Sequence, residues 1–347
     1  MGAKQLIHAV AGSGKTRLII DKIEPSNKNL IITYTENNQK VLEQRLIEKF
    51  GKVPENTHIF GLFEFLYGFC LVPYLNARPK GINFNYEKKN RFDKNSIDST
   101  GRIIHSQLSR ALLEGLLIYN NKEIKIDHTY LERIDKFFDH IFIDECQDFE
   151  SYDFDWMLSL SKLNATVYLL GDFYQKTYST SSSGNKGKGI HSDINRWFSE
   201  FEKSGFDIDE TSLSNSYRCP TKICEFIEQK LGINIRSIDS SDCIGEIRFI
   251  EEQEEIDIVM RDNTIKKLFY QKSSQYDCTS LNWGESKGTE SKNVCVVLNN
   301  TTLIHYKKNT LSQLAPSTKS KFYVACTRTL GNLYFVSEKN VAKYKAY

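Results

Sequence analysis

The chain has 347 residues, about 40% hydrophobic content and a formal net charge of +2. That length holds two compact domains, and no apolar run reaches the about 20 residues of a membrane span. The charge is too small to argue for a nucleic-acid partner by itself. The eight cysteines form no CxxC pair, so buried thiols in a reducing cytoplasm are expected rather than a zinc site. No secretory leader is expected either, because an apolar strand begins by Leu6.

In chain order, Leu6 to Val10 reads as a buried strand, and Thr16 to Ile20 reads as the start of a helix. Between them the stretch AVAGSGKT (9–16) ends in Gly-x-Gly-Lys-Thr. Gly12 and Gly14 permit backbone angles that turn successive N–H groups toward one anion. The helix N-terminus adds partial positive charge. Lys15 can reach the β- and γ-phosphates, and the Thr16 hydroxyl can ligate Mg²⁺. Gly12, Ser13, Gly14, Lys15, Thr16 and Arg17 are the candidate nucleotide-binding residues of this loop.

A second apolar strand, Leu30 to Tyr34, leads into a helical stretch from Glu36 to Phe50. Ile103 to Tyr119 shows an apolar helical pattern inside a mainly helical insertion expected near 62–135. A third strand, His140 to Ile143, runs into Asp144-Glu145, and a fourth, Thr166 to Leu170, into Gly171-Asp172. Val294 to Leu298 and Asn332 to Val336 follow. Short apolar strands separated by helices predict an α/β protein with parallel sheets covered on both faces. Polar residues gather at strand ends, where such sheets bind ligands. In FIDECQD (142–148), Asp144 can hold Mg²⁺ and Glu145 can orient or deprotonate an attacking water. A phosphate loop with an Asp-Glu pair points to an ATPase.

Taken in order along nearly the whole chain, seven segments resemble the motifs of superfamily 1 DNA helicases of the UvrD/Rep/PcrA type. They are AVAGSGKT, IITYTENNQKVLEQRL (31–46), FIDECQD, LLGDFYQKTY (169–178), LSNSYRCP (213–220), SKGTESKNVCVVL (286–298) and FYVACTRTLGNLYFV (322–336). The resemblance implies two RecA-like lobes, residues 1–210 and 211–347, the second carrying the last three motifs. It implies that Gln175 senses the γ-phosphate, Tyr217 stacks on adenine and Arg218 contacts the γ-phosphate. Glu290 would hydrogen-bond the ribose, and Arg328 would be the arginine finger. Tyr34 and Thr35 would meet nucleic acid.

Departures from that pattern are equally specific. Only eight residues precede Ala9, and Gln5 lies too close to the strand to serve as an adenine-reading glutamine. Gly61-Leu62-Phe63-Glu64 lacks the histidine usual in the family's next motif. After Tyr178 a Ser/Gly/Lys loop replaces a base-gripping aromatic. Only 71 residues separate Arg218 from Glu290, where full-length members insert a helical subdomain. Arg78 to Lys94 interleaves basic and aromatic side chains, a composition that suits a single strand.

The resulting expectation is a cytoplasmic ATPase that uses ATP and Mg²⁺ and is stimulated by single-stranded DNA or a tailed duplex. It would translocate 3′ to 5′ on a stripped two-lobed core, with no membrane association. The alternative is an ATP- and DNA-sensing subunit that gates a partner nuclease in a phage-defence or repair assembly.

Overall fold

The structure is a computed structural model that describes residues 2–76, 78–86, 94–126, 129–177, 189–238 and 245–346. The Ser/Gly/Lys loop after Tyr178 and the central part of the Arg78-to-Lys94 stretch lie outside the described residues. No helix among the described residues is long and apolar enough to cross a membrane.

The protein is α/β, with a six-stranded and a five-stranded sheet. The larger sheet is ordered Asp207–Leu213, Lys4–Ala9, Thr166–Gly171, His140–Ile143, Asn29–Thr33, Thr57–Gly61. Asn29–Thr33 pairs in parallel with both His140–Ile143 and Thr57–Gly61, and His140–Ile143 pairs in parallel with Thr166–Gly171. Asn29–Thr33 is buried along its whole length, as a central parallel strand covered on both faces must be. The strands start and stop within a residue or two of the boundaries expected from their apolar runs, and the helix Glu36–Phe50 matches its expected span.

The smaller sheet, all parallel, is ordered Ile247–Phe249, Leu333–Ser337, Asn293–Leu298, Ile265–Phe269, Ser280–Asn282. Strand alternation divides its core. Val294, Val296 and Leu298 join Ile223, Ile227, Tyr323 and Phe335 in one buried cluster. Cys295 and Val297 face another, with Ile256, Met260 and Phe269. Two-sided burial explains why these strands read as continuous apolar runs.

The chain divides into two compact units. The first contains Met1–Ile7, Thr16–Gly171 and Ser179–Asp209. The second contains His8–Lys15, Asp172–Tyr178 and Glu210–Tyr347. Val10 and Ala11 accordingly belong to the core cluster of the second unit.

The helix expected over 103–119 is replaced by shorter elements. Ile103–Ile104 is a strand paired with Ile82–Asn83, Leu108–Glu114 is the helix, and Leu116–Tyr119 forms a hairpin with Lys122–Lys125. Gly115 stops the helix in the left-handed conformation, φ 65°, with its N–H capping Ala111, the usual role of glycine at a helix C-terminus.

Candidate functional site

In the first unit, His140–Ile143 delivers Asp144 and Glu145 at its C-terminal end. Asp144 is only 4% exposed, and its carboxylate accepts the Glu145 N–H at 3.0 Å. Glu145 has φ 55°, a left-handed conformation that a non-glycine residue rarely holds. Such backbone strain gathers at functional positions. The Gln147 amide donates to the Glu145 carboxylate and so fixes its direction. Gly171 is required behind this turn. A Cβ there would lie 2.5 Å from both Cys146 Sγ and Gln147 Oε1.

Thr16 and Arg17 stand in the first turn of the helix Lys15–Lys22. Arg17 is exposed and pairs with Asp21 at 3.6 Å, along the helix surface. Thr35 caps the helix Glu36–Phe50, its side chain accepting the Asn38 N–H at 3.2 Å. Tyr34 is half-buried and meets Phe63 and Phe149 edge-on, with centroids 5.7 and 5.9 Å away.

The second unit gathers the remaining candidates. Gly12 and Gly14 take φ 71° and 90°, open to glycine at little cost. The Ser13 hydroxyl is buried without a hydrogen-bond partner among the described residues. The Tyr217 N–H donates to Gly12 O at 2.9 Å. A Cβ on Gly12 would come within 2.4 Å of Arg218 Cβ, so backbone and arginine are in close contact. The Tyr217 ring is 63% exposed, an aromatic face open to solvent. Gln175 is buried in a short helical turn capped by Asp172, whose carboxylate accepts the Tyr174 N–H at 3.0 Å.

Arg218 and Glu290, expected on γ-phosphate and ribose, are brought together as an ion pair, with Nη2 and Nε 2.5 and 2.6 Å from Glu290 Oε1. Arg328 differs. It is 2% exposed, and its guanidinium donates to Val324 O at 2.9 Å, Thr327 Oγ1 at 3.0 Å and Thr289 O at 3.5 Å. None of these acceptors is a carboxylate. Burial, and then the nearby Arg218 charge, lower its pKa to about 10, so it remains a cation at neutral pH. His8 is driven the other way. Burial and the Lys15 charge lower its pKa to about 4, and it stays neutral.

The residue that sequence reasoning missed is Tyr323. It is fully buried, donates its hydroxyl to Asp172 Oδ2 at 3.0 Å and accepts the Ala11 N–H at 2.9 Å. One phenol thus ties the Gly-rich segment to the Gly-Asp segment through the helix Pro316–Cys326. Its place within FYVACTR was visible, but nothing in the sequence marks its hydroxyl as a bridge.

Residues 103–337 match the family described as the viral superfamily 1 RNA helicase core domain. The chain belongs to that family. The match covers about two thirds of this helicase core and begins beyond the Gly-rich loop. Among solved structures, the PRRSV helicase shares 14% identity at a TM-score of 0.47, with 96% of this chain and 52% of that one covered. The arterivirus nonstructural protein 10 (helicase) in complex with DNA shares 10% identity at a TM-score of 0.49, with 99% and 63% covered. A crystal structure of the arterivirus nonstructural protein 10 (helicase) gives 11%, 0.49, 99% and 62%. The helicase core therefore spans between about half and under two thirds of the length of those proteins. No curated protein matches the sequence.

Proposed function

We propose that this helicase core is an ATP-hydrolysing motor of the UvrD-like type that moves along single-stranded nucleic acid 3′ to 5′. The observation that carries the reading is Arg328. A buried guanidinium, hydrogen-bonded to two carbonyls and a hydroxyl and repelled by the nearby Arg218, is costly unless an anion joins it. The Gly12 backbone packed against Arg218 belongs to a loop whose sequence suits phosphate binding. A nucleoside triphosphate adds negative charge beyond that of the nearby Asp172 carboxylate.

In this reading Lys15 and the loop N–H groups bind the β- and γ-phosphates, and the Gln147-held Glu145 carboxylate orients and deprotonates the attacking water. Arg328 and Arg218 neutralise charge that grows on the γ-phosphoryl group. Arg218 would exchange Glu290 for phosphate, leaving Glu290 to accept from the ribose, while Tyr217 offers its exposed ring to adenine. Tyr323 carries the state of the Gly-rich segment to Asp172 and so to Gln175. The donor set, a Thr16 hydroxyl and the nearly buried Asp144 carboxylate, is of the hard-oxygen kind that suits Mg²⁺, and those two residues would hold the ion. When bound, it supplies positive charge to the phosphate oxygens. Tyr34 would stack on a base of the strand.

The motif set resembles DNA helicases, whereas the matching family is described by RNA. Single strands of both sugars therefore belong in the test, which measures ATP hydrolysis with single-stranded DNA, single-stranded RNA and duplex. We expect stimulation by single strands that falls steeply with salt. Lys15→Ala abolishes hydrolysis, and Glu145→Gln retains ATP binding while turnover stops. A tailed duplex is opened weakly or not at all, since each base-pair step costs about 1.4 kcal/mol and only 71 residues lie between Arg218 and Glu290. Wild-type turnover by Glu145→Gln would remove Glu145 from its role. Hydrolysis indifferent to every nucleic acid would favour a sensing subunit over a motor.

A further inference from the structure

Two buried thiols in the second unit take no part in the nucleotide chemistry. Cys219 and Cys224 are each 2% exposed. They flank the start of the helix Thr221–Leu231, whose N-cap is Pro220. Cys219 therefore stands one residue before the cap, and Cys224 is the fourth residue of the helix. Those are the two positions whose side chains pack together as a chain enters a helix. Here sulfur meets sulfur. The Cys224 thiol hydrogen-bonds to the Cys219 sulfur, and its Sγ lies 3.6 Å from Cys219 O. The turn between them is well held: Cys219 O accepts the Ser237 hydroxyl at 2.8 Å, and the Cys224 N–H donates to Pro220 O at 3.1 Å.

The surroundings divide the roles of the two sulfurs. Burial raises the pKa of Cys70, Cys295 and Cys326. Cys219 shifts the other way, lowered first by the hydrogen bond from Cys224 and then by Ser216 and the Arg218 and Arg328 charges, against the effect of burial. The same contact raises Cys224, which keeps its proton. A thiolate is the form of cysteine that attacks an electrophile, so Cys219 is the nucleophile of the pair. It is also tied to both arginines of the site. Cys219 Sγ lies 3.8 Å from the carbonyl of Thr327, whose hydroxyl receives the Arg328 guanidinium. Ser216 Oγ accepts the N–H groups of Arg218 and Cys219 at 3.2 and 3.0 Å.

We propose that Cys219 and Cys224 are a redox modification site, closed to a disulfide by hydrogen peroxide, which slows nucleotide turnover until a thiol reopens it. The effect on turnover rests on the reading of the chain as an ATPase; the sulfur chemistry does not. The Cys219 thiolate attacks one peroxide oxygen, the S–O bond forms as the O–O bond breaks, and the departing hydroxide takes a proton to become water. The Cys224 sulfur then attacks the Cys219 sulfenic acid. The S–S bond forms, the S–O bond breaks, and the leaving hydroxide takes the Cys224 proton. Two thiols thus lose two electrons and two protons, and one peroxide becomes two waters. The disulfide draws Cys219 Sγ from Thr327 O and removes negative charge beside Arg218 and Arg328. Both arginines lose a support that the reduced state gives them.

Lys222 lies between the two cysteines, so trypsin, cutting after Arg218, Lys222 and Lys230, places them on separate peptides, 219–222 and 223–230. The wild-type protein is treated with hydrogen peroxide, alkylated with iodoacetamide, digested and read by mass spectrometry. The two peptides are expected as one disulfide-linked species, and dithiothreitol before alkylation should return them as two alkylated ones. Both cysteines alkylated after peroxide, or a sulfinic Cys219 beside an alkylated Cys224, overturns the site. So does a link from Cys219 to the peptide 322–328, which carries Cys326. ATP hydrolysis separates the two ideas. Turnover should fall about tenfold as the linked species forms, equivalent to about 1.4 kcal/mol, and recover with dithiothreitol. Cys224→Ser should hydrolyse ATP like the reduced wild type and give no linked species; the wild-type peptides carry the test if that variant does not fold. A disulfide that leaves turnover unchanged overturns the control of the arginines. Absence of hydrolysis by the reduced protein overturns the ATPase reading alone, and the peptides still decide the site.

Discussion

Tyr323→Phe removes one oxygen atom and leaves the ring that fills the core. In the wild type that oxygen donates to a carboxylate at 3.0 Å and accepts a backbone N–H at 2.9 Å, at a site with no exposure. A hydrogen bond to a charged group contributes about 1.5–3 kcal/mol, and a buried N–H left without an acceptor costs about 1–3 kcal/mol. Allowing for partial relaxation, the variant should lose about 2–4 kcal/mol, a large fraction of the about 5–15 kcal/mol that holds a domain folded. Chemical denaturation followed by tryptophan fluorescence would measure it, since Trp283 lies in the same core cluster. Tyr334→Phe is the control. Its hydroxyl accepts a 3.4 Å bond from Asn332 at a half-buried site, and its loss should cost under about 0.5 kcal/mol. If Tyr323→Phe unfolds within about 0.5 kcal/mol of wild type, the phenol is not the tie described and the bridging argument fails.

Arg328→Ala and Arg218→Ala should each lower turnover by about 10²–10³-fold while weakening ATP binding far less; equal losses of rate and affinity would mean that they hold the ground state only. Asp153 provides a pH test. Its burial, opposed by the Ser109 hydrogen bond and assisted by the Glu150 charge, raises its pKa to about 6. The folded state therefore holds a proton more tightly than the unfolded chain, whose aspartate titrates near about 3.9, and stability is lost as pH rises through 6. Asp153→Asn should raise the unfolding free energy by about 1–3 kcal/mol at pH 8 and by little at pH 4; an equal gain at both values would contradict the assignment.

The parts of the fold legible in the sequence are those where local and global signals coincide. His140 to Ile143 is apolar, short and followed by two carboxylates, and the parallel sheet buries that strand and leaves the carboxylates at its end. Ile103 to Tyr119 was misleading because its apolar residues fit a helical stripe, while Gly115 and the hairpin behind it cut that stripe short. The clue was one glycine, outweighed by periodicity. Arg218 and Glu290 could be named singly from their motifs, but their mutual ion pair joins residues 72 positions apart, a separation no local pattern reports. Tyr323 was hidden for the same reason. Phe84 stood out among the aromatics of the Arg78-to-Lys94 stretch, but its stacking on His105 was hidden because a two-residue strand pair leaves almost no sequence trace.

The bond between Ala11 and Tyr323 closes a span of 312 residues. At ribosomal rates of about 5–20 residues per second, Ala11 waits on the order of 15–60 s before its acceptor is made. During that interval Val10 and Ala11 have no core to enter, because Ile223, Tyr323 and Phe335 are still to come. Closure of the second unit is thus a late, long-range event, of the kind that slows folding. A fragment beginning at Glu210 would lack Val10 and Ala11, and an N-terminal truncation past Val10 would weaken a helix near the opposite end of the chain.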